Sequence, residues 1–121
     1  MSLILIAEDE ALISMVLAIM LEDAGHEVVS APHGRAALDL IRDRRPALVI
    51  TDFMMPLMTG LELARAMRSD VELCGIPIIL TTGAQGGIGR ENPEMFDAVL
   101  DKPYDEKELL KTVNALLIRK T

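Results

Sequence analysis

The stretch Ala47–Gly60, ALVITDFMMPLMTG, decides how this sequence folds. Residues 47–50 form an unbroken apolar run that leads into Thr51 and Asp52. A strand exposed on one face would alternate apolar and polar residues, so this run predicts a strand buried on both faces of a sheet. Asp52 then stands at the carboxyl end of the strand, where parallel sheets bind ligands. On its own, Asp52 is better explained as a cap of a helix or turn, so its role depends on the other strand ends.

Other short apolar runs predict four more strands, and the segments between them predict helices. The strands are expected over residues 3–7, 27–30, 76–82 and 98–100. Helices are expected from residue 12 to Gly25, over 34–45, over 59–68, and from 105 onward. Thr59 with Glu62, and Asp105 with Glu108, have the spacing of a capping box. The fold class is therefore α/β, with strands and helices in alternation.

The helix faces and connections complete this prediction. In the first helix the apolar residues that share one face of a 3.6-residue period are Leu12, Val16, Ile19 and Met20. Segment 83–89, GAQGGIG, has four glycines and predicts only a short helix. Right-handed crossovers favour a doubly wound, five-stranded parallel sheet of order 2-1-3-4-5 with helices on both faces, a topology that flavodoxins share.

Composition limits the classes of protein to consider. The chain has 121 residues, the size of one domain, and a formal net charge of −7, which argues against a nucleic-acid surface. No signal peptide and no run long enough to span a membrane is visible, so a cytoplasmic protein is expected. The single cysteine, Cys74, fits a reducing compartment and is expected to be a small buried residue. His26 and His33 are expected in solvent-facing loops, not as metal ligands.

Polar residues stand at the ends of four predicted strands. They are Glu8, Asp9, Asp52, Thr82 and Lys102, and the predicted strand order brings them into one crevice. Each has an ordinary explanation when taken singly, as a cap, a partner of the backbone or a solvated charge. Three neighbouring carboxylates repel one another unless a cation joins them, however, and a site of hard oxygen ligands without histidine suits Mg²⁺.

The whole chain, residues 1–121, resembles the receiver domain of two-component response regulators, the CheY-like family. Glu8-Asp9 matches the acidic pair of that family, and residues 52–60, DFMMPLMTG, match its D-x-x-M-P-x-M-x-G signature. Thr82 falls at the position of its hydroxyl residue, and Lys102-Pro103 matches its Lys-Pro. An acidic pair or a Lys-Pro alone would be worthless; all four matches in order over a single domain are specific.

The resemblance implies that Asp52 accepts a phosphoryl group from a histidine kinase or phosphotransfer protein. It also implies that Asp9, Asp52 and the main-chain carbonyl of Met54 hold Mg²⁺, while Glu8 holds a water bound to the metal. Lys102 would pair with Asp52 and then with the phosphoryl group, to which Thr82 would donate a hydrogen bond. A cis Lys102-Pro103 bond is expected as well.

The sequence departs from the family pattern at the position three residues before the lysine, where Val99 replaces an aromatic residue. Tyr104 lies on the wrong side of the lysine to substitute for it and is expected to pack where the family often has Phe. Signalling is therefore expected to depend on ordering of segment 83–95. Met54 and Ala84 occupy positions that tune hydrolysis in the family, and their side chains predict slow loss of the phosphoryl group.

Three classes of function remain open. The first is a phospho-acceptor switch, not an enzyme, that acts through a downstream protein target, as a monomer or weak dimer. The second is a phosphatase-like enzyme, but such phosphatases have D-x-D at the nucleophile, and Met54 occupies the second Asp position. The third is an unphosphorylated adaptor. A receiver excised from a larger hybrid kinase or regulator would have the same sequence features as the first.

Overall fold

The computed structural model describes residues 2–83 and 86–119, which form five strands and five helices. The strands are β1 (Leu3–Ala7), β2 (Glu27–Ala31), β3 (Leu48–Asp52), β4 (Ile78–Thr82) and β5 (Ala98–Asp101). The helices are α1 (Ala11–Asp23), α2 (Gly34–Arg44), α3 (Gly60–Arg68), α4 (Gly86–Glu91) and α5 (Glu106–Arg119). Strand and helix alternate along the chain as predicted, and α4 is short because of its glycines.

All five strands are parallel and lie in the order β2-β1-β3-β4-β5, which confirms the predicted sheet. Apolar side chains cover both faces. Helices α2 and α3 pack with Leu5 and Val49 on one face, and α1 and α5 pack with Ile6 and Ile50 on the other. Because both faces are covered, β3 and β4 are buried throughout, which explains their nearly unbroken apolar sequence.

Caps define where the helices begin. Thr59 accepts a hydrogen bond from the main-chain N–H of Glu62, whose side chain accepts one from the N–H of Thr59, so the predicted capping box is present. Asp105 caps α5 by accepting from the N–H of Glu108 at 2.7 Å. Helix α1 ends as expected near Gly25, whose φ of 95° is a conformation that glycine adopts without strain.

The face of α1 that the sequence pattern predicts to be buried is not the face that packs against the core. The residues that α1 buries are Ser14, Leu17 and Leu21. Leu12, Val16 and Ile19 are exposed by 71%, 45% and 50%, and Met20 is only partly buried. Apolar residues occur on nearly every side of this helix, so periodicity alone selected the wrong side.

Three loop residues also differ from expectation. Cys74 is exposed in the turns between α3 and β4, not buried. His33 is the N-cap of α2, and its Nδ1 accepts a hydrogen bond from the N–H of Ala36 at 3.1 Å. His26 is partly buried, and its Nδ1 has no hydrogen-bond partner among the described residues. Neither histidine is a simple solvent-facing loop residue.

Within residues 2–83 and 86–119, no helix is long and apolar enough to cross a lipid bilayer.

Candidate functional site

The carboxyl edge of the sheet brings together four of the charged side chains predicted from the sequence. Asp52 is the last residue of β3, the central strand, with β1 on one side and β4 on the other. Glu8 and Asp9 directly follow β1, and Lys102 directly follows β5. Parallel strands that end at one edge therefore deliver residues far apart in sequence to one place.

Three carboxylates meet at this edge. One oxygen from each of Glu8, Asp9 and Asp52 lies within 4.8 Å of the others. Glu8 is only 4% exposed and Asp52 only 8%, whereas Asp9 is exposed. The burial leaves the negative charges poorly hydrated, and their proximity makes them repel. Hard oxygen donors from three carboxylates, one of them open to solvent, fit Mg²⁺ well.

The ammonium group of Lys102 faces two of these carboxylates. Its Nζ lies 3.0 Å from Asp52 Oδ1 and 3.4 Å from Glu8 Oε1. Burial alone would lower the pKa of Lys102, but the hydrogen bond and the charge of Asp52, with those of Glu8, outweigh it and raise the pKa. Lys102 is therefore held as a cation. The Lys102-Pro103 bond is cis, as predicted.

The pKa of Glu8 reflects this crowding. Burial raises its pKa, and the nearby charge of Asp52 adds to that effect. A hydrogen bond from the N–H of Glu10 at 3.2 Å and the charge of Lys102 act in the opposite direction.

Tyr104, next to the Lys-Pro, is partly buried against the core, as expected, and its burial raises the pKa of its hydroxyl.

Thr82 ends β4 beside Asp52's strand, and its side chain is buried. Its hydroxyl has no hydrogen-bond partner among the described residues. A buried polar atom without a partner is costly and calls for an explanation. A strand-end hydroxyl that has no partner in the described part of the chain can donate to an incoming group.

Gly60 is a site residue whose role was not predicted from the sequence. A Cβ built on it would lie 2.5 Å from the main-chain oxygen of Asp52. The N–H of Gly60 also donates to the oxygen of Phe53 at 2.9 Å. The start of α3 therefore rests directly on the end of β3, which no larger residue permits. The signal was available, because this glycine closes the motif that begins at Asp52.

The structure describes two of the three further positions that the family pattern singles out, Val99 and Met54. Val99 contacts the α4 backbone, since a Cβ on Gly89 would lie 2.6 Å from Val99 Cγ2. The Met54 side chain is 58% exposed beside the site. Ala84 lies outside the described residues.

A largely apolar cleft of about 380 Å³ adjoins the charged site. Its lining includes Leu12, Val16, Met20, Pro103 and Tyr104, and Lys102 forms part of it. The exposed apolar residues of α1 thus continue directly to the lysine that contacts Asp52. The charged site and this cleft form one continuous surface.

The arrangement described above matches a known family. Residues 4–114 match the model of the response regulator receiver domain. The chain is 35% identical over 119 residues to the protein PilH of Pseudomonas aeruginosa, with 97% of this chain and 98% of PilH covered. It is 36% identical over 122 residues to the phosphate regulon transcriptional regulatory protein PhoB of the same species. That match covers 96% of this chain but spans only about half (52%) of PhoB.

The fold also matches that of a solved structure. The receiver domain of the sensor histidine kinase PA1611 from Pseudomonas aeruginosa superposes with a TM-score of 0.88 at 24% identity, covering 96% of this chain and 97% of that one. That structure holds a magnesium ion coordinated in its active site cleft.

Proposed function

The chain belongs to the response regulator receiver family, and we propose that Asp52 is the carboxylate on which it accepts a phosphoryl group. The observation that carries this proposal is the position of Asp52: a buried strand-end carboxylate with an ammonium 3.0 Å away and two carboxylates beside it. Structural carboxylates rarely share a buried site with two others. We propose further that residues 1–121 form one such receiver domain.

The reaction is a transfer from a phosphohistidine of a kinase or phosphotransfer protein. An oxygen of Asp52 attacks the phosphorus while the bond from phosphorus to the imidazole nitrogen breaks. The electron pair of that bond returns to the nitrogen, and the imidazole leaves neutral because its other nitrogen carries a proton. Lys102 then turns from the carboxylate to a phosphoryl oxygen, which a flexible point charge can do.

Magnesium is the cofactor that the donor set fits. We propose that Asp9, Asp52 and the main-chain oxygen of Met54 hold Mg²⁺, with Glu8 accepting from a water on the ion. When bound, the ion neutralises charge on the carboxylates and on the transferred phosphoryl oxygens. Receiver domains bind Mg²⁺ at their acidic site, and the acidic trio here supports the same role.

Thr82 links the reaction to a change of shape. Its unpaired hydroxyl would donate to a phosphoryl oxygen and draw the following segment towards the site. With Val99 in place of an aromatic residue, the response is ordering of segment 83–95, part of which lies outside the described residues. Beryllofluoride with Mg²⁺ should slow amide hydrogen exchange over residues 83–95, and unchanged exchange there would reject this step.

The lifetime of the phosphoryl group should be long. The exposed side chain of Met54 offers no strong hydrogen bond to position an attacking water. A half-life as short as those of the fast chemotaxis regulators would contradict this expectation.

The partners follow from the surface around the site. The donor protein can contact the cleft between α1 and the Lys102-Pro103 segment, since Lys102 lines that cleft and also contacts Asp52. A downstream protein would read the changed surface. We also propose a cytoplasmic location, with which the exposed single cysteine is compatible.

The deciding experiment is phosphorylation by acetyl phosphate and Mg²⁺, followed by intact mass. Wild type should gain one phosphoryl group and Asp52→Asn none. Asp43→Asn, an exposed site on α2, is the matched control and should react like wild type. If wild type gained no phosphoryl group, the adaptor function would be favoured instead.

A further inference from the structure

The loop from Phe53 to Thr59, which joins Asp52 to α3, divides its apolar side chains into two sets. Met55 is buried in the core, and Met58 packs against that core and onto Gly34. Met54 and Leu57 point outward, with exposures of 58% and 79%. The inward set has a structural purpose, whereas the outward set contributes nothing to the core.

Leu57 has an unfavourable backbone conformation as well. Its φ is 71°, the left-handed region that favours glycine. The N–H of Met58 donates to the oxygen of Pro56 at 2.8 Å across it, which closes a three-residue turn. Turns of this kind with a positive central φ are rare and strained. The turn needs the backbone of residue 57 but no side chain there.

Arg45, the other non-glycine residue with positive φ in the described chain, shows what an ordinary case looks like. It ends α2 in the left-handed conformation, its N–H donates to Ile41, and its guanidinium pairs with Glu72. Its side chain therefore has a partner within the protein. Leu57 combines a positive φ with an apolar side chain left in water, so both its backbone conformation and its exposure are unfavourable to the free protein.

Both ends of this loop lie next to Asp52, the proposed phosphorylation site. The bond from the N–H of Gly60 to Phe53 brings the end of the loop back to its start, and Gly60 abuts the main-chain oxygen of Asp52. A phosphohistidine must come into contact with Asp52 to react. A protein that presents it must therefore cover the surface around Asp52, of which this loop is a part.

We propose that Leu57, with Met54 beside it, is an apolar anchor for the protein that donates the phosphoryl group. Leu57 is a specificity-determining residue for the donor and touches no reacting atom. The donor it fits is a histidine-phosphorylated protein with an apolar patch next to its phosphohistidine. This inference rests on the proposed function, since it assumes that Asp52 is the acceptor.

The test compares donors of the same chemistry with and without a protein surface. Phosphoramidate supplies a phosphorus-nitrogen bond and no surface. The protein donors are the complete set of histidine kinases and phosphotransfer proteins of the source organism, phosphorylated in advance, and the one fastest for wild type is chosen. Leu57→Gly should lower the transfer rate from that protein by at least about tenfold. The rate with phosphoramidate should be unchanged, and the melting temperature should be equal or higher.

Two further variants separate the anchor from other effects. Leu57→Met keeps an apolar side chain and should stay within about twofold of wild type with the protein donor. Val71→Ala, at a residue 88% exposed in the turn after α3, should have no effect.

Three results would overturn the inference. The first is an unchanged transfer rate from the protein donor to Leu57→Gly, and the second is no transfer to wild type from any protein donor. The third is a wild-type dimer, seen in sedimentation, that Leu57→Gly abolishes, because Leu57 would then belong to a contact between two copies of the chain. Failure of wild type to react even with phosphoramidate would instead reject the acceptor role of Asp52.

Discussion

The strands begin at one edge of the sheet, the amino edge, and finish at the other, the carboxyl edge. Each of these edges carries a cation that contacts carboxylates or main-chain carbonyls. They differ in how fully the hydrogen-bond donors and the charge of that cation are paired. At the amino edge, Arg68 uses all five of its N–H groups, bonding three main-chain oxygens and Asp97 at 2.8–3.2 Å. Asp97 in turn accepts from the N–H of Ile78 at 2.8 Å. At the carboxyl edge, Lys102 faces Asp52 at 3.0 Å and Glu8 at 3.4 Å, with Asp9 beside them.

This difference indicates which edge can accept a further cation and rearrange its contacts. The guanidinium of Arg68 is planar, and all five of its N–H groups donate hydrogen bonds. Its charge is balanced by one carboxylate. Any movement of this group therefore breaks several hydrogen bonds. Lys102 is a single nitrogen that opposes more negative charge than it can neutralise. The carboxyl edge is therefore short of positive charge and can accept a metal ion, while the amino edge is complete.

Replacing Arg68 tests this contrast with the largest effect. Arg68→Met should lower the free energy of unfolding by about 3 kcal/mol, because it removes the cation opposite Asp97 and the donors to three carbonyl oxygens in a largely buried place. Urea denaturation measures it. Arg68→Lys should recover only part of the loss; full recovery would mean that the planar guanidinium is not needed, and the contrast between the edges would fail.

The same substitution at the two edges should have opposite signs. Asp97→Asn should lower the free energy of unfolding by about 2 kcal/mol, since the charge balancing Arg68 is lost. Asp52→Asn should raise it by up to about 1 kcal/mol in metal-free buffer, because it removes one of three crowded carboxylates. Both are measured by urea denaturation with EDTA present. A loss at Asp52 as large as that at Asp97 would show that the carboxyl edge is not short of positive charge.

Magnesium should stabilise only the carboxyl edge. At ten times its dissociation constant, Mg²⁺ should add about 1.4 kcal/mol to the free energy of unfolding of wild type. Asp9→Asn should remove most of that gain. Sodium chloride of equal ionic strength is the control, and an equal gain with sodium would show general screening instead of a site.

The smallest effect concerns His26, at the amino edge just before β2. Burial lowers the pKa of His26 below its ordinary 6.5, so the folded state holds the neutral ring. Its stabilising effect is present above the unfolded pKa and is lost as pH falls through 6.5 towards the folded value, because the unfolded chain binds the proton first. The slope of stability against pH in that range should be shallower in His26→Gln. Identical slopes would show that the ring is solvated in the fold.

The carboxyl edge could be predicted from the sequence because its residues follow unbroken apolar runs. Such a run fixes a buried strand, and a buried strand fixes where its last residue lies. Glu8, Asp52 and Lys102 therefore came together as expected, even though 94 positions separate the first from the last.

The other regions could not be predicted in this way. Helix α1 carries apolar residues on nearly every side, so its buried face is decided by packing against the sheet and α5, not by its own period. The Arg68 contacts join the end of α3 to the turns that follow it and to the distant turn before β5, and nothing local in the sequence marks an arginine whose partners are carbonyl oxygens. Cys74 was misjudged because composition says nothing about which turn a small residue occupies.

The contacts of Arg68 have a consequence for variation among related sequences. Its neutral partners, at positions 74, 76 and 95, are main-chain oxygens, and every amino acid supplies one. Side chains at those positions can therefore be substituted without loss of these hydrogen bonds, and only Arg68 and Asp97 must be kept. The turns at this end of the molecule are free to diverge in sequence while holding a fixed geometry.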